Sequence, residues 1–434
     1  MHKPTFVSLC ILLISACRAI AGDPIVLDNG ARLILEPLPG TGAVSVIALY
    51  QTGYADDLAG VAQSAHLAEH LRVTAGIGDE PAGQAQAALN RAGACNAETL
   101  ATITYYDYAL PAGSLELALR SEAQRLTSLR ITDADIAREI PRVNAEVHAV
   151  VSAPGIMLGK FACMAGAQLW LHQPDTGTID VRLREAPDAA TMAAYVARHH
   201  SPSALTLMIA GEFDPDQATE LARTLIAPIA NPPQAVRPKP ETPDFTGLPA
   251  ERKVAWDLPA VTILVALPTD SGASRAEVES VAARASFALN QRPEIASAFS
   301  SGPTVRSGPL PLLVGVCVRA DADRDRILEL VHEALDRAAR TTAPQARSTA
   351  GMLYAPIEMP SAERINAMVA ARAHPRPLML TAQMMGNALL QSSLRGATQI
   401  GAESIEPDSD DALEDRIRAA LARSNRRVLI IAPE

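Results

Sequence analysis

The chain has 434 residues, of which 48% are hydrophobic, 20% charged and 3% aromatic, a globular composition with room for two or three domains that fits neither disorder nor a fibrous repeat. Its 38 basic and 48 acidic residues give a formal charge of −10, or −12 once the first 21 residues with Lys3 and Arg18 are set aside, which argues against nucleic acid as a partner. Beyond the first twenty positions charges break every apolar run below the roughly 18 residues a spanning helix needs, so any membrane contact must come from the N-terminus.

Residues 1–21 read as an export signal, with His2 and Lys3 as a short polar start, an apolar core over 6–16 and Ala19-Ile20-Ala21 as a small-residue cleavage site. A competing reading lies inside it: Ile14-Ser15-Ala16-Cys17 resembles a bacterial lipobox, which would place a lipid on Cys17. Either reading points to export, to a bacterial periplasm or to a membrane-anchored lipoprotein. Cys95, Cys163 and Cys317 remain in the folded part, too widely spaced for a disulfide framework or a zinc ribbon. A single bridge among them stays open, with burial as small apolar side chains the default.

Next come strand-like stretches over 25–27, 32–36 and 44–50, separated by the turn dipeptides Asn29-Gly30 and Pro39-Gly40. Helical spacing follows over 62–73, 80–92, 115–129 and 133–151, with one strand-like run over 99–110. An apolar strand over 205–210 precedes a helix over 216–225. Seven prolines between Ala227 and Pro249 exclude helix interior and central strand alike, so 227–249 is read as a linker. Beyond it, strands are expected over 253–267, 312–319 and 427–431, and helices over 275–289, 323–339, 361–371, 378–391 and 411–423. The expected organisation is a domain over 22–226, the linker, and a second domain of similar size and element mix over 250–434.

The most informative segment is His66-Leu67-Ala68-Glu69-His70. On a helix the two imidazoles stand one turn apart on one side, where they can share a tetrahedral zinc, and the carboxylate between them borders that ion. Zinc brings the pKa of a bound water to about 7, and Glu69 is placed to take its proton as the oxygen attacks a carbonyl carbon. A third ligand must come from elsewhere, and the helix over 133–151 offers Glu139 and Glu146, two turns apart on one face. The bland alternative for each is a solvated helix carboxylate. His148, about 200° around the helix from Glu146, faces away from the metal; His199 and His200 look like loop residues before a strand. Met379, Met384 and Met385 read as core.

These residues resemble the inverted-motif zinc peptidases of the pitrilysin, insulinase and mitochondrial-processing-peptidase group. Asp28-Asn29-Gly30-Ala31-Arg32-Leu33-Ile34-Leu35 resembles the family's opening strand pair, 60–76 its active-site helix, and 205–215 its strand, glycine and acidic turn. Asn96-Ala97-Glu98-Thr99 with Thr104 and Tyr106 resembles its N-A-x-T segment, and Arg138-Glu139 with Glu146 its downstream glutamate helix. The 75 residues between His70 and Glu146 lie close to the family spacing. The resemblance implies an α+β fold of two similar domains, each a mixed β-sheet with helices packed on it. It implies zinc bound by His66, His70 and Glu146, Glu69 as general base, and Glu139 as a supporting glutamate. It also implies that Asn96 and Ala97 lie on an edge strand to which an extended peptide substrate adds, whereas the residue itself, read alone, leaves Asn96 open as a turn residue.

Two departures from the family matter. Pro141 interrupts the helix between the two glutamates and would distort the placement of Glu139. Many relatives carry an Arg and a Tyr a few residues apart in a later domain, and here no Tyr follows Arg306 within 299–313. The chain therefore resembles the zinc-bearing subunit of the family's two-chain members, with a second pitrilysin-like subunit carrying the Arg-Tyr pair as its expected partner, or a second copy if Arg306 substitutes. The expected activity is a zinc endopeptidase acting on peptides or unfolded segments. Its rival is a catalytically silent scaffold subunit, since the family includes members that keep the fold and have lost the motif.

Overall fold

The computed structural model describes residues 24–152, 154–167, 181–233, 249–255, 260–268, 273–301, 312–340, 345–346, 348–349, 353, 359–372, 374, 376–396 and 410–432. Residues 1–23 with Cys17, read as the export signal, most of the expected linker, and Arg306 with its neighbours 302–311 lie outside the described residues. In the first half the strands are β1 (Ile25–Val26), β2 (Arg32–Pro37), β3 (Ala43–Tyr50), β4 (Gly76–Ile77), β5 (Ala94–Thr99), β6 (Thr104–Pro111), β7 (Leu129–Arg130) and β8 (Leu205–Gly211). The helices are α1 (Ser64–Thr74), α2 (Gln84–Ala92), α3 (Leu115–Thr127), α4 (Asp133–Ser152), α5 (Pro154–Ala167), α6 (Ala189–His199) and α7 (Pro215–Leu225). The second half holds β9 (Glu251–Ala255), β10 (Ala260–Leu267), β11 (Ser297–Ser300), β12 (Leu312–Arg319) and β13 (Arg427–Ala432), with α8 (Arg275–Asn290), α9 (Arg324–Ala339), α10 (Ala362–Ala371), α11 (Pro377–Gly396) and α12 (Asp410–Ala420).

Two mixed sheets organise the molecule, in strand orders β1-β2-β8-β3-β6-β5 and β11-β12-β10-β13-β9, with β4 and β7 forming a small third. This is the α+β architecture expected from the sequence. Within each large sheet one pair is parallel, β2 with β8 and β9 with β13, and the rest antiparallel. Two strand readings need correction. The run over 99–110 is β6 preceded by only the last residue of β5, a strand that starts at Ala94 and folds back on β6 so that Thr99 pairs with Thr104 and Ala94 with Ala109. The run over 253–267 contributes β9 and β10, which are not neighbours, since β13 lies between them. Asp257 and Pro259 interrupt the apolar pattern of that run, and strand pairing decides which neighbour each side joins.

All eight residues of β3 are buried, because both faces of its sheet are covered. Val44, Val46, Ala48 and Tyr50 pack with Leu89, Leu119, Ala218 and Ala222 from α2, α3 and α7. On the opposite face Ala43, Ile47 and Leu49 pack with Ile365, Val369, Met385 and Leu389, from α10 and α11 of the second half. The exchange is reciprocal. Phe161, Met164 and Ala165 of α5, together with α1, α4 and α6, share a core with Leu264, Ala266, Leu313, Leu429 and Ile431 of the second sheet. Each sheet thus buries one face under helices from the other half, and separating the halves would expose both faces at about 25 cal/mol per Å² of apolar surface.

Glycines allow the close approaches. A Cβ on Gly386 would sit 2.3 Å from Ser45 Oγ, and one on Gly159 would press on the Phe299 ring at 3.0 Å. Met385 is fully buried in the core, as its helical spacing suggested. α5 and α6 were not legible in the sequence; α5 is apolar nearly all round and shows no amphipathic stripe.

Candidate metal centre

The site forms where α1, α4 and the edge strand β5 meet. α1 begins abruptly: the buried Asp57 carboxylate accepts from the Gln63 N–H at 2.9 Å, the Ala65 N–H at 2.8 Å and Ser64 Oγ at 3.1 Å. Burial pushes the Asp57 carboxyl up to about 7 against these bonds; its oxygens satisfy the helix's free amides, and its ionised form complements the helix dipole. The opposite side of α1 is clamped to the first sheet by the fully buried Arg72. Its Nη2 donates to Glu122 Oε1 at 2.6 Å, and its guanidinium lies 4.6 Å from the ring centroids of both Tyr50 and Tyr106. Glu122 also accepts from the hydroxyls of Tyr50 and Tyr108. A buried pair with this many donors holds its carboxylate ionised, and Glu122 titrates below its ordinary range despite its burial.

Held in this way, α1 presents His66 and His70 to α4. His66 Nε2 lies 3.3 Å from Glu146 Oε2 and His70 Nε2 lies 3.4 Å from Glu146 Oε1. One ligand atom from each of the three residues falls within 4.8 Å of the others, so the cluster could hold a metal ion. Behind these three residues, His70 Nδ1 is 3.2 Å from Glu139 Oε2 and His66 Nδ1 is 3.0 Å from Gln63 Oε1. Glu139 is fully buried; it also accepts from Thr74 Oγ1 at 3.0 Å, Arg138 Nε at 3.1 Å and Arg142 Nη1 at 3.2 Å.

Pro141 does lie inside α4, yet the distortion expected of it does not displace Glu139. The missing N–H costs the Ala137 carbonyl its helical partner, while Glu139 and Glu146 both still reach His70.

Electrostatics in the cluster follow from these contacts. Burial would lower the His70 pKa, but the bonds to Glu139 and Glu146 outweigh it and raise it to about 9. Glu146 is held far below the usual carboxylate range by His66 and His70. Burial works against ionisation of Glu139, and His70, Thr74 and the two arginines bring it down to about 2 all the same. Two charged carboxylates facing two imidazoles is a donor set that favours a divalent cation.

Glu69, 7% exposed, accepts from Thr99 Oγ1 at 2.6 Å. Thr99 in turn lies 3.3 Å from Thr104 Oγ1, which donates to the Thr52 carbonyl at 2.9 Å. Sequence reasoning named Thr99 and Thr104 as part of the N-A-x-T segment without giving them this task. Asn96 and Ala97 lie within β5, paired with Asp107 and Tyr106, at the end of the sheet order; Asn96 is a strand residue rather than a turn residue.

His148 is exposed, with Nε2 3.3 Å from Ser152 Oγ, away from the cluster. His199 is not a loop residue but ends α6; His200 follows in the bend after it and is 3% exposed, its Nε2 3.2 Å from the Tyr106 hydroxyl. Burial and nearby Arg72 hold His200 well below the ordinary histidine range, hence neutral. Cys95 and Cys317 are free thiols.

No family model matches the sequence, and no curated protein is similar to it in sequence. Solved structures are similar in fold. A protease from Helicobacter pylori shares 15% identity over 96% of this chain and 100% of its own, with a TM-score of 0.66. An inactive domain of a peptidase of family M16 from Pseudomonas fluorescens shares 11% identity over 95% of this chain and 98% of its own, with a TM-score of 0.64. Pitrilysin shares 13% identity with a TM-score of 0.59; the match covers 97% of this chain and 46% of pitrilysin. The chain thus has the two-domain fold of the pitrilysin-like peptidases, a fold found in proteases and in an inactive domain alike.

Proposed function

We infer that the chain is an exported zinc metalloendopeptidase that hydrolyses peptides or unfolded segments. The observation that carries this reading is the convergence of Glu146 of α4 with His66 and His70 of α1, the helix that also holds Glu69. The separations of 3.3 and 3.4 Å between imidazole nitrogens and carboxylate oxygens match the edge of a tetrahedron whose arms are about 2.0–2.1 Å, the bond length of zinc to these atoms. A zinc ion there would supply Lewis acidity toward the peptide carbonyl and acidify the attacking water.

This chain's residues do the rest. Thr99 Oγ1 holds Glu69 through Oε2, leaving Oε1 to take the proton from the attacking water and pass it to the leaving nitrogen. Glu139 keeps the proton of His70 on Nδ1, so that Nε2 is the ligand atom. Asn96 and Ala97 offer the outer edge of β5 to an extended substrate, whose main chain would add as a further strand.

In this reading residues 1–21 are the signal, 22–226 the zinc-binding domain, 227–249 the linker and 250–434 the second domain. The periplasm is the site of action, with a lipid on Cys17 the alternative mode of export. The chain spans 46% of pitrilysin, and in this reading the Arg-Tyr pair comes from a second, pitrilysin-like subunit. Without that oxyanion donor the isolated chain should lose about 3 kcal/mol of transition-state stabilisation, about a hundredfold in rate. A silent scaffold is the second reading, favoured by the inactive M16 domain of the same fold; the intact cluster supports the enzyme.

Glu69→Gln separates the two. The amide keeps the shape and cannot take the proton, so zinc content should stay at that of the wild type while peptide hydrolysis by the chain mixed with its partner falls at least about 100-fold. Unchanged turnover would remove Glu69 as the base, and a wild type that stays inactive with its partner would favour the scaffold.

A further inference from the structure

We propose that Gln63 is a positioning residue of the metal centre: its carboxamide oxygen accepts the Nδ1–H of His66 and thereby fixes the tautomer that turns Nε2 toward the ion. The proposal rests on the zinc reading above and adds a residue to it. Three observations carry it. Among the described residues Gln63 is the one non-glycine with a positive φ, at 67°. It is fully buried, with Oε1 3.0 Å from His66 Nδ1. Its Nε2 is buried without a hydrogen-bond partner.

The conformation is the left-handed one that glycine adopts without steric cost and other residues adopt under strain. If the position served only to turn the chain into α1, glycine would do it better. A buried glutamine there pays for itself only through its side chain, and strained residues persist where the surroundings over-determine them. Asp57 does so here, gripping the Gln63 N–H from one side and the Ala65 N–H and Ser64 hydroxyl from the other.

Chemistry assigns the amide's orientation. Once His66 Nε2 serves as a ligand its lone pair is committed, the ring proton must sit on Nδ1, and the atom facing it must be an acceptor. Of the two ends of the Gln63 amide, only the oxygen accepts. The unpartnered Nε2 is the cost of that choice. The two ligand histidines are therefore backed differently, His70 by the Glu139 carboxylate and His66 by a neutral amide. This spares a cluster already holding Glu69, Glu139 and Glu146 a further negative charge.

The test is zinc affinity of the full chain, measured by competition with a chromophoric chelator at fixed pH, with folding of each variant checked by thermal melting. Gln63→Met keeps the volume and removes the acceptor, and should bind zinc about 10- to 100-fold more weakly. Gln63→Gly, which meets no steric penalty at this φ, should show the same loss and carries the test if the methionine variant does not fold. Gln63→Glu keeps an acceptor oxygen and should stay within about threefold of the wild type or above it. Wild-type affinity in the folded methionine or glycine variant overturns the proposal, as does an equal loss in all three. A wild type that takes up no zinc would instead overturn the metal reading itself, which separates the two failures.

Discussion

The strands β2, β8, β3, β6 and β5 of the first half and β9, β13, β10, β12 and β11 of the second run in the same order and with the same senses. The helix after the third-placed strand differs in what it buries. α1 follows β3 and carries His66, Glu69 and His70. α8 follows β10 and buries Glu277 and Glu279, whose charges are met by arginine: Arg416 donates to Glu277 at 2.7 Å and Arg275 to Glu279 at 2.8 Å. Glu277 also caps its own helix through the Ser274 N–H at 2.8 Å. Both halves bury carboxylates beside this helix, so burial of acid is not the mark of a site. What differs is the partner. A guanidinium stays charged and satisfies a carboxylate permanently, whereas an imidazole can surrender its proton and turn a nitrogen to a metal.

The sharpest way to break this contrast is His70→Ala, which should take zinc from about one ion per purified chain to almost none, because two ligands do not hold a structurally or catalytically competent site. Equal metal content in wild type and variant, by elemental analysis, would sink the assignment of α1 as the metal helix. Arg72→Met comes next. It leaves Glu122 as a buried charge without its cation, so unfolding free energy in denaturant should fall by about 3–5 kcal/mol. A loss under about 1 kcal/mol would show that the clamp on α1 is not electrostatic.

A smaller effect concerns pH. His70 titrates at about 9 in the folded chain against 6.5 for the free side chain, so a raised pKa stabilises the zinc-free fold fully below pH 6.5, and that contribution is lost as pH rises from 6.5 through 9. Zinc must displace the same proton. Its apparent affinity should therefore rise about tenfold per pH unit up to about pH 9 and then level off; a flat profile over pH 7 to 9 would show that His70 carries no proton there. The smallest effect is expected in the second half: Glu279→Gln should leave zinc content and hydrolysis within about twofold of the wild type while costing on the order of 1 kcal/mol of stability. A large loss of activity would mean that the second half shares in the chemistry.

The sequence alone determined the elements that have a local cause. Helical spacing placed α8, α9 and α10, and the structure adds their caps, Ser274, Asp323 and Ser361, each accepting from the third helical N–H. The i, i+4 imidazoles of α1 were legible because a helix puts them on one side whatever surrounds it. Only the tertiary structure decided the rest, since it depends on which parts of the chain meet. Pairing split the run over 253–267 into two strands that are not neighbours. Packing carried α5 and α11 onto the sheet of the opposite half, buried His200 between tyrosines, and kept Glu139 in place despite Pro141. It also set Gln63 in a left-handed turn behind His66, an arrangement no spacing in the sequence announces, because it needs the buried Asp57 to hold the backbone there.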